Sequence, residues 1–134
     1  MSSVQSLEKL RIWKEAQDLT HEIHILSKDL KSNYPLKDQI DRSSQAVADN
    51  IAEMHGSYYY NNKIKGLYNA RKEALETVNH IIKFQRRNLW LPEICTNLTS
   101  RYEKLIRGIN AYVKYVVQWR DKENNKLKTT NVTT

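Results

Sequence analysis

Between residues 7 and 32 the apolar side chains Ile12, Ala16, Leu19, Ile23, Leu26 and Leu30 return at alternating steps of four and three. A helix turns by about 100° per residue, so this rhythm keeps all six on one seam of the bundle or coiled-coil type. Ser32-Asn33-Tyr34-Pro35 ends this first helix, because Pro35 lacks an N–H and biases Tyr34 away from helical angles. A second helix starts near Leu36 and carries Ile40, Ser43, Val47, Ile51 and Met54 to His55-Gly56, where the glycine suits a C-terminal cap. The third, from about Tyr59 to Asn88, sets Ile64, Leu67, Ala74, Leu75, Val78, Ile81, Ile82 and Gln85 on one side. Gly66 weakens it locally, by about 1 kcal/mol relative to alanine. Pro92 falls in the first turn of a fourth helix, where proline is tolerated. That helix spaces Cys95, Leu98, Tyr102, Leu105, Ile109, Tyr112, Val116 and Trp119 by threes and fours.

Past Trp119 the chain reads RDKENNKLKTTNVTT, poor in apolar residues, and a frayed or disordered tail is expected. Alternating β-branched runs flanked by glycine do not occur, so no sheet is expected. The prediction is therefore all-α. An antiparallel up-down-up-down four-helix bundle covers residues 1–120, and a polar flexible tail covers 121–134. At 134 residues the chain can bury a modest core without disulfides or metal. Cys95 is the single cysteine, which excludes an internal disulfide, suggests a reducing compartment and, from its place on the seam, puts the thiol in the core. The N-terminal residues MSSVQSLEKLR lack the apolar stretch of a signal peptide, and no run approaches a membrane span. A cytoplasmic protein is expected.

The second helix poses a question. Asn50 and Glu53 sit in or beside its apolar stripe, among the small residues Ser43, Ser44, Ala46, Ala48 and Ala52. On the third helix, Arg71 projects with Ile64, Ala74, Leu75 and Val78. A buried arginine needs a partner, because an unpaired buried charge is very costly. One reading is an internal polar lock joining Arg71 to Asn50, Glu53 or both. The other has Arg71 snorkelling to the bundle edge while Glu53 stays wet.

Three segments carry a resemblance: RIWKEAQDL, LKDQIDRSSQAVADNIAE and GLYNARKEALETVNHI. They resemble the signatures of the four helix bundle protein family, over roughly residues 7–118. That family includes proteins encoded by intervening sequences in bacterial 23S ribosomal RNA genes. It is related to the accessory protein of diversity-generating retroelements, which assists a reverse transcriptase. The likeness rests on Ile12-Trp13, on Gln39 and Arg42, and on Asn50-Ile51-Ala52-Glu53 with Ala70 and Glu76. Met54 stands where the family usually has glycine, and Lys72-Glu73 where it has a Gly-Ser pair. The resemblance implies a homo-oligomer, characteristically a pentameric ring, whose basic surface meets nucleic acid and a reverse transcriptase among the retroelement relatives.

Charge sharpens the picture. The net charge is +7, and its distribution is uneven. Residues 1–34 are balanced and residues 35–57 carry −2, whereas residues 58–90 carry +5 and residues 91–120 carry +3. On the third helix Lys65, Lys72, Lys83, Arg86 and Arg87 fall within about 100° of arc, away from the apolar side, with Asn79 among them and Glu76 interrupting. On the fourth, Lys104, Arg107 and Lys114 point away from the core, with Arg101 on the flank. Cations spaced along an exposed helix neutralise phosphates and release counterions, giving salt-sensitive, sequence-tolerant binding of RNA, DNA or both. The same residues also make an ordinary solvated face. Tyr58-Tyr59-Tyr60 can stack on bases, staple a helix corner or fill a subunit contact. Trp13, Trp90 and Trp119 lie near helix ends, where they can anchor interfaces.

Catalytic and metal chemistry find no footing. No Glu stands three residues before His21, His24, His55 or His80, as a di-iron bundle needs, and HEIH has the wrong spacing for a zinc peptidase. Neither a phosphate-binding glycine loop nor a nucleophile elbow occurs. The expectation is a non-enzymatic accessory protein without cofactor or metal that binds nucleic acid and assists a ribonucleoprotein or reverse transcriptase. The alternative is a scaffold or adaptor ring of the rRNA intervening-sequence type with no direct nucleic-acid role.

Overall fold

The computed structural model describes residues 3–30 and 33–133, and every element in it is a helix: α1 (Ser3–Glu8), α2 (Arg11–Ser27), α3 (Tyr34–Gly56), α4 (Tyr60–Arg86) and α5 (Pro92–Thr133). Among the described residues five helices replace the four expected, because the seam read as one helix over 7–32 is broken at Lys9-Leu10. Leu10 is extended at φ −76° and ψ 108°, and its N–H closes a tight turn onto the Leu7 carbonyl at 3.0 Å. No glycine or proline marks this break. It lets α1 lean onto α3, where Ser6 Oγ meets His55 Nε2 at 2.9 Å. Lys31 and Ser32, the expected end of the first helix, lie outside the described residues.

Successive long helices meet in opposite directions. The Thr20 hydroxyl donates to the Ser44 carbonyl and Ser27 Oγ donates to Asp41, both at 2.9 Å, so α2 and α3 are antiparallel. Thr77 Oγ1 donates to Ser43 Oγ at 2.9 Å deep between α3 and α4, while Gly66 faces Met54 further along. Arg71 reaches Asn110 and Arg120 reaches Asn61, which pairs α4 with α5. Glu22 of α2 bridges to Arg101 of α5. The seams predicted for α2, α3 and α5 fill the centre: Ile12, Ala16, Leu19 and Ile23 meet Ile40, Val47, Ile51 and Met54, with Cys95, Leu98, Tyr102, Leu105, Ile109 and Val116 closing the core.

On α4 the seam is rotated from the expected one. Leu75 and Ile82 stay 55% and 45% exposed, and Gln85 is exposed as well. The buried face is Ile64, Leu67, Ala70, Ala74, Thr77, His80, Ile81 and Phe84. The cause is the small-sided α3. Ser43, Ser44 and Ala48 are buried there, so the two backbones come close, and small or hydroxyl-bearing residues of α4 fit the gap better than long ones. Gly66 shows how close: a Cβ at that position would lie 2.9 Å from Met54 Cβ.

The same rotation leaves no lock among Asn50, Glu53 and Arg71, the first of the two readings, and puts Arg71 and Glu53 nearer the second. Arg71 turns towards α5, donates from Nη1 to Asn110 Oδ1 at 2.8 Å and lies over the Tyr68 ring, 4.7 Å from its centroid. Glu53 is exposed, and its backbone carbonyl accepts the Ser57 hydroxyl at 2.8 Å. The buried polar pair linking α3 and α4 is instead Ser43 with Thr77.

The fourth long helix also ends later than expected. In place of a disordered tail from 121, the α5 backbone stays helical through Thr133, with every described side chain from Asp121 to Lys128 exposed.

Candidate nucleic-acid interface

The last turn of α4 is built to hold its cations outward. Asn88 takes φ 57°, the left-handed conformation that ends many helices. The Asn88 N–H reaches the Gln85 carbonyl at 3.0 Å and the Leu89 N–H reaches the Phe84 carbonyl at 2.9 Å, a Schellman pair that satisfies two terminal acceptors. Behind this corner Phe84 and Trp90 pack edge to face, 4.8 Å between centroids. The inner side of the turn is thereby fixed, and Lys83, Arg86 and Arg87 are left on the outer side. With Asn79 and Ile82 they line an open depression of about 370 Å³, and none of its lining residues is acidic.

The rest of the predicted strip is exposed but less uniform. Lys65 and Lys72 both reach solvent, and from Lys65 to Arg86 the strip runs roughly 30 Å at 1.5 Å per residue. Lys72 has acidic company. Burial and a hydrogen bond with Glu76 push the Glu73 carboxyl above the usual range, while Lys72 and Arg42 pull it down. Arg42 of α3, named in the sequence only for its family resemblance, lies close enough for its charge to bear on Glu73 and His80. Its position just before Ser43, the α4-facing residue, is the signal that could have shown it.

His80 lies beneath the same corner. It is buried, and neither ring nitrogen has a hydrogen-bond partner among the described residues; Glu76 Oε1 comes to 3.8 Å from Nε2. Burial pushes its pKa down, and the charge of Lys83 pushes it further. A neutral ring beneath a cluster of cations adds no charge of its own.

The α5 cations do not join the strip as one surface. Arg101 is engaged by Glu22, and Lys104 shares a small cleft of about 120 Å³ with Arg101, Glu15 and Asp18 on the α2 side. Arg107 and Lys114 are exposed. Of the nine basic residues singled out in the sequence, the structure gathers Lys83, Arg86 and Arg87 into one cluster and leaves the others spaced apart or beside carboxylates.

A family model, that of the 23S rRNA-intervening sequence protein, matches residues 8–111. The chain belongs to that family. Among solved structures, a protein of unknown function from the S23 ribosomal protein family of Bacteroides thetaiotaomicron is similar in fold. It is 21% identical, the match covers 77% of this chain and 95% of that one, and the TM-score is 0.72. No curated protein matches. The matched segment of this intervening-sequence family member contains α2, α3 and α4 whole, together with the cluster at Lys83, Arg86 and Arg87.

Among the described residues no group of three or more His, Cys, Asp or Glu side chains could hold a metal ion, and no helix is long and apolar enough to cross a membrane. Cys95 is buried, and burial raises its thiol pKa, which disfavours the reactive thiolate.

Proposed function

We propose that this chain is a non-enzymatic, basic accessory protein that binds nucleic acid through phosphate contacts and works as a homo-oligomer of up-down-up-down bundles. The observation that carries this reading is the cluster of Lys83, Arg86 and Arg87 with Asn79 around an acid-free depression, held outward by a rigid corner. Three cations grouped at one helix end reach neighbouring phosphates together, and the contacts release counterions. The family resemblance extends the reading to a pentameric ring that assists a ribonucleoprotein or a reverse transcriptase of the diversity-generating-retroelement type, in the cytoplasm.

Fluorescence anisotropy of labelled RNA and DNA strands across a salt series tests the reading. Affinity should fall steeply with salt. Replacing Lys83, Arg86 and Arg87 together by alanine should flatten the log–log slope by up to about 3 on duplex DNA, with helicity unchanged. No binding at low salt sinks it.

The adaptor reading is favoured by a different feature. An open groove of about 410 Å³ between α2 and α5 is lined by Ile25, Leu26, Ile94 and Leu98, with Glu22 and Glu93 at its rim. If nucleic acid does not bind, this groove is the surface on which a protein partner should be sought.

A further inference from the structure

A second feature of α5 lies past residue 111, where the family match ends. On the side facing α2, α5 is covered only as far as the start of that helix. Ile12 approaches Gly108 so closely that an added Cβ would lie 3.0 Å from its Cγ2. Beyond this point α1 packs onto α2 and α3 instead of α5, and past the half-buried Tyr112 this side of α5 is bare.

Two aromatic rings occupy the bare stretch. Tyr115 and Trp119 are 53% and 39% exposed, and they pack edge to face with 4.4 Å between centroids and 79° between planes. In such a pair the ring that offers its edge keeps both of its faces clear of the other. Alongside runs a second row at the same four-residue step: Lys114, Gln118 and Lys122, all exposed. Neither lysine has a carboxylate within ion-pair distance among the described residues. Neighbouring members of the two rows lie about 60–100° apart on the helix, with the lysines about 12 Å from each other along its axis.

We infer that the Tyr115–Trp119 pair, flanked by Lys114 and Lys122, is a stacking platform for unpaired bases, so that the nucleic acid this protein prefers is single-stranded. The inference rests on the nucleic-acid reading above and narrows its ligand class. Charge decides the occupant. A neutral apolar partner would gain nothing from the two lysines, whereas a single strand offers ring faces to the aromatics and phosphates to the adjacent cations in one chain. A duplex offers only phosphates, because its bases are already stacked inside.

The test compares a labelled 20-nucleotide single strand with its duplex by anisotropy at one fixed, low salt concentration. The wild-type protein should prefer the single strand. Trp119→Ala and Tyr115→Ala should each weaken single-strand binding by about tenfold, the lower part of the range for one stacked base, and leave duplex binding unchanged. Trp119→Phe should restore most of the loss. Both rings are exposed, and circular dichroism checks that the variants fold. The Lys83, Arg86 and Arg87 triple variant should weaken both ligands while keeping the single-strand preference. Equal binding of the two ligands by wild type, or single-strand affinity unchanged in both aromatic variants, overturns the platform and leaves the phosphate-binding reading standing. A change in oligomer mass in Trp119→Ala, read by light scattering, overturns it by showing the rings to be a contact between copies. Absence of binding to either ligand overturns both readings together.

Discussion

The seam between α3 and α4 is tight along its length, whereas the seam between α2 and α5 opens at one end. Between α3 and α4, small residues bring the backbones together, Gly66 meets Met54, and the Ser43–Thr77 hydrogen bond is fully enclosed. Between α2 and α5 the approach is close only where Ile12 meets Gly108; towards the other end long apolar side chains stand apart, a groove stays open, and the surface bridge from Glu22 to Arg101 spans the gap. A seam that depends on close approach has no slack and tolerates little change. One made of long flexible side chains adapts and keeps surface available for partners. The cationic corner of α4, where phosphate contacts are proposed, sits on the tight side.

Gly66→Val tests this contrast most severely. Its new side chain must enter a space where even a Cβ meets Met54 Cβ at 2.9 Å, and a loss of about 2–3 kcal/mol is expected in urea unfolding. Thr77→Val keeps the shape and removes the buried donor to Ser43. It should cost about 1–2 kcal/mol in the same assay.

Acid should strain the tight seam next. Burial and Lys83 hold the His80 pKa below its ordinary value of about 6.5, and burial, then Lys63, do the same for His55. Below pH 6.5 the unfolded chain takes up protons that the folded chain refuses, so this contribution is complete above pH 6.5 and is lost as pH falls. The melting temperature, followed by circular dichroism, should therefore drop between pH 7 and pH 5. His80→Leu should flatten that dependence. Glu73, whose pKa is raised by burial and Glu76, works with the opposite sign, nearer the ordinary carboxylate range.

Arg101→Ala on the open seam should have the smallest effect. The arginine and Glu22 both remain substantially exposed, so thermal unfolding should change by about 1 kcal/mol or less. A loss as large as that of Gly66→Val would erase the distinction between the two seams.

Much of this was legible in the chain. The threes and fours of Ile12 to Ile23, Ile40 to Met54 and Cys95 to Val116 gave helices and their buried faces, because on those helices large apolar residues and the core coincide. On α4 they do not. Leu75 and Ile82 are large and outside, whereas Ala70, Thr77 and His80 are small or polar and inside. Hydropathy alone chose the wrong flank, and Arg71 went with it. The better signal was size, in the series Gly66, Ala70, Ala74 and Thr77 set against the equally small Ser43, Ser44 and Ala48. The cationic residues were visible in the sequence, but their grouping was not. The Schellman corner at Asn88 and the pairing of Arg101 with Glu22 depend on contacts that spacing does not encode.

The unequal lengths of the helices have a mechanical outcome. At 1.5 Å per residue, the 42 residues of α5 make a rod of roughly 60 Å, against roughly 40 Å for the 27 residues of α4 beside it. The surplus projects from one end of the molecule like a boom. A fluorophore or fused domain joined at that tip rides well clear of the body, and any small tilt at the root is magnified at the far end.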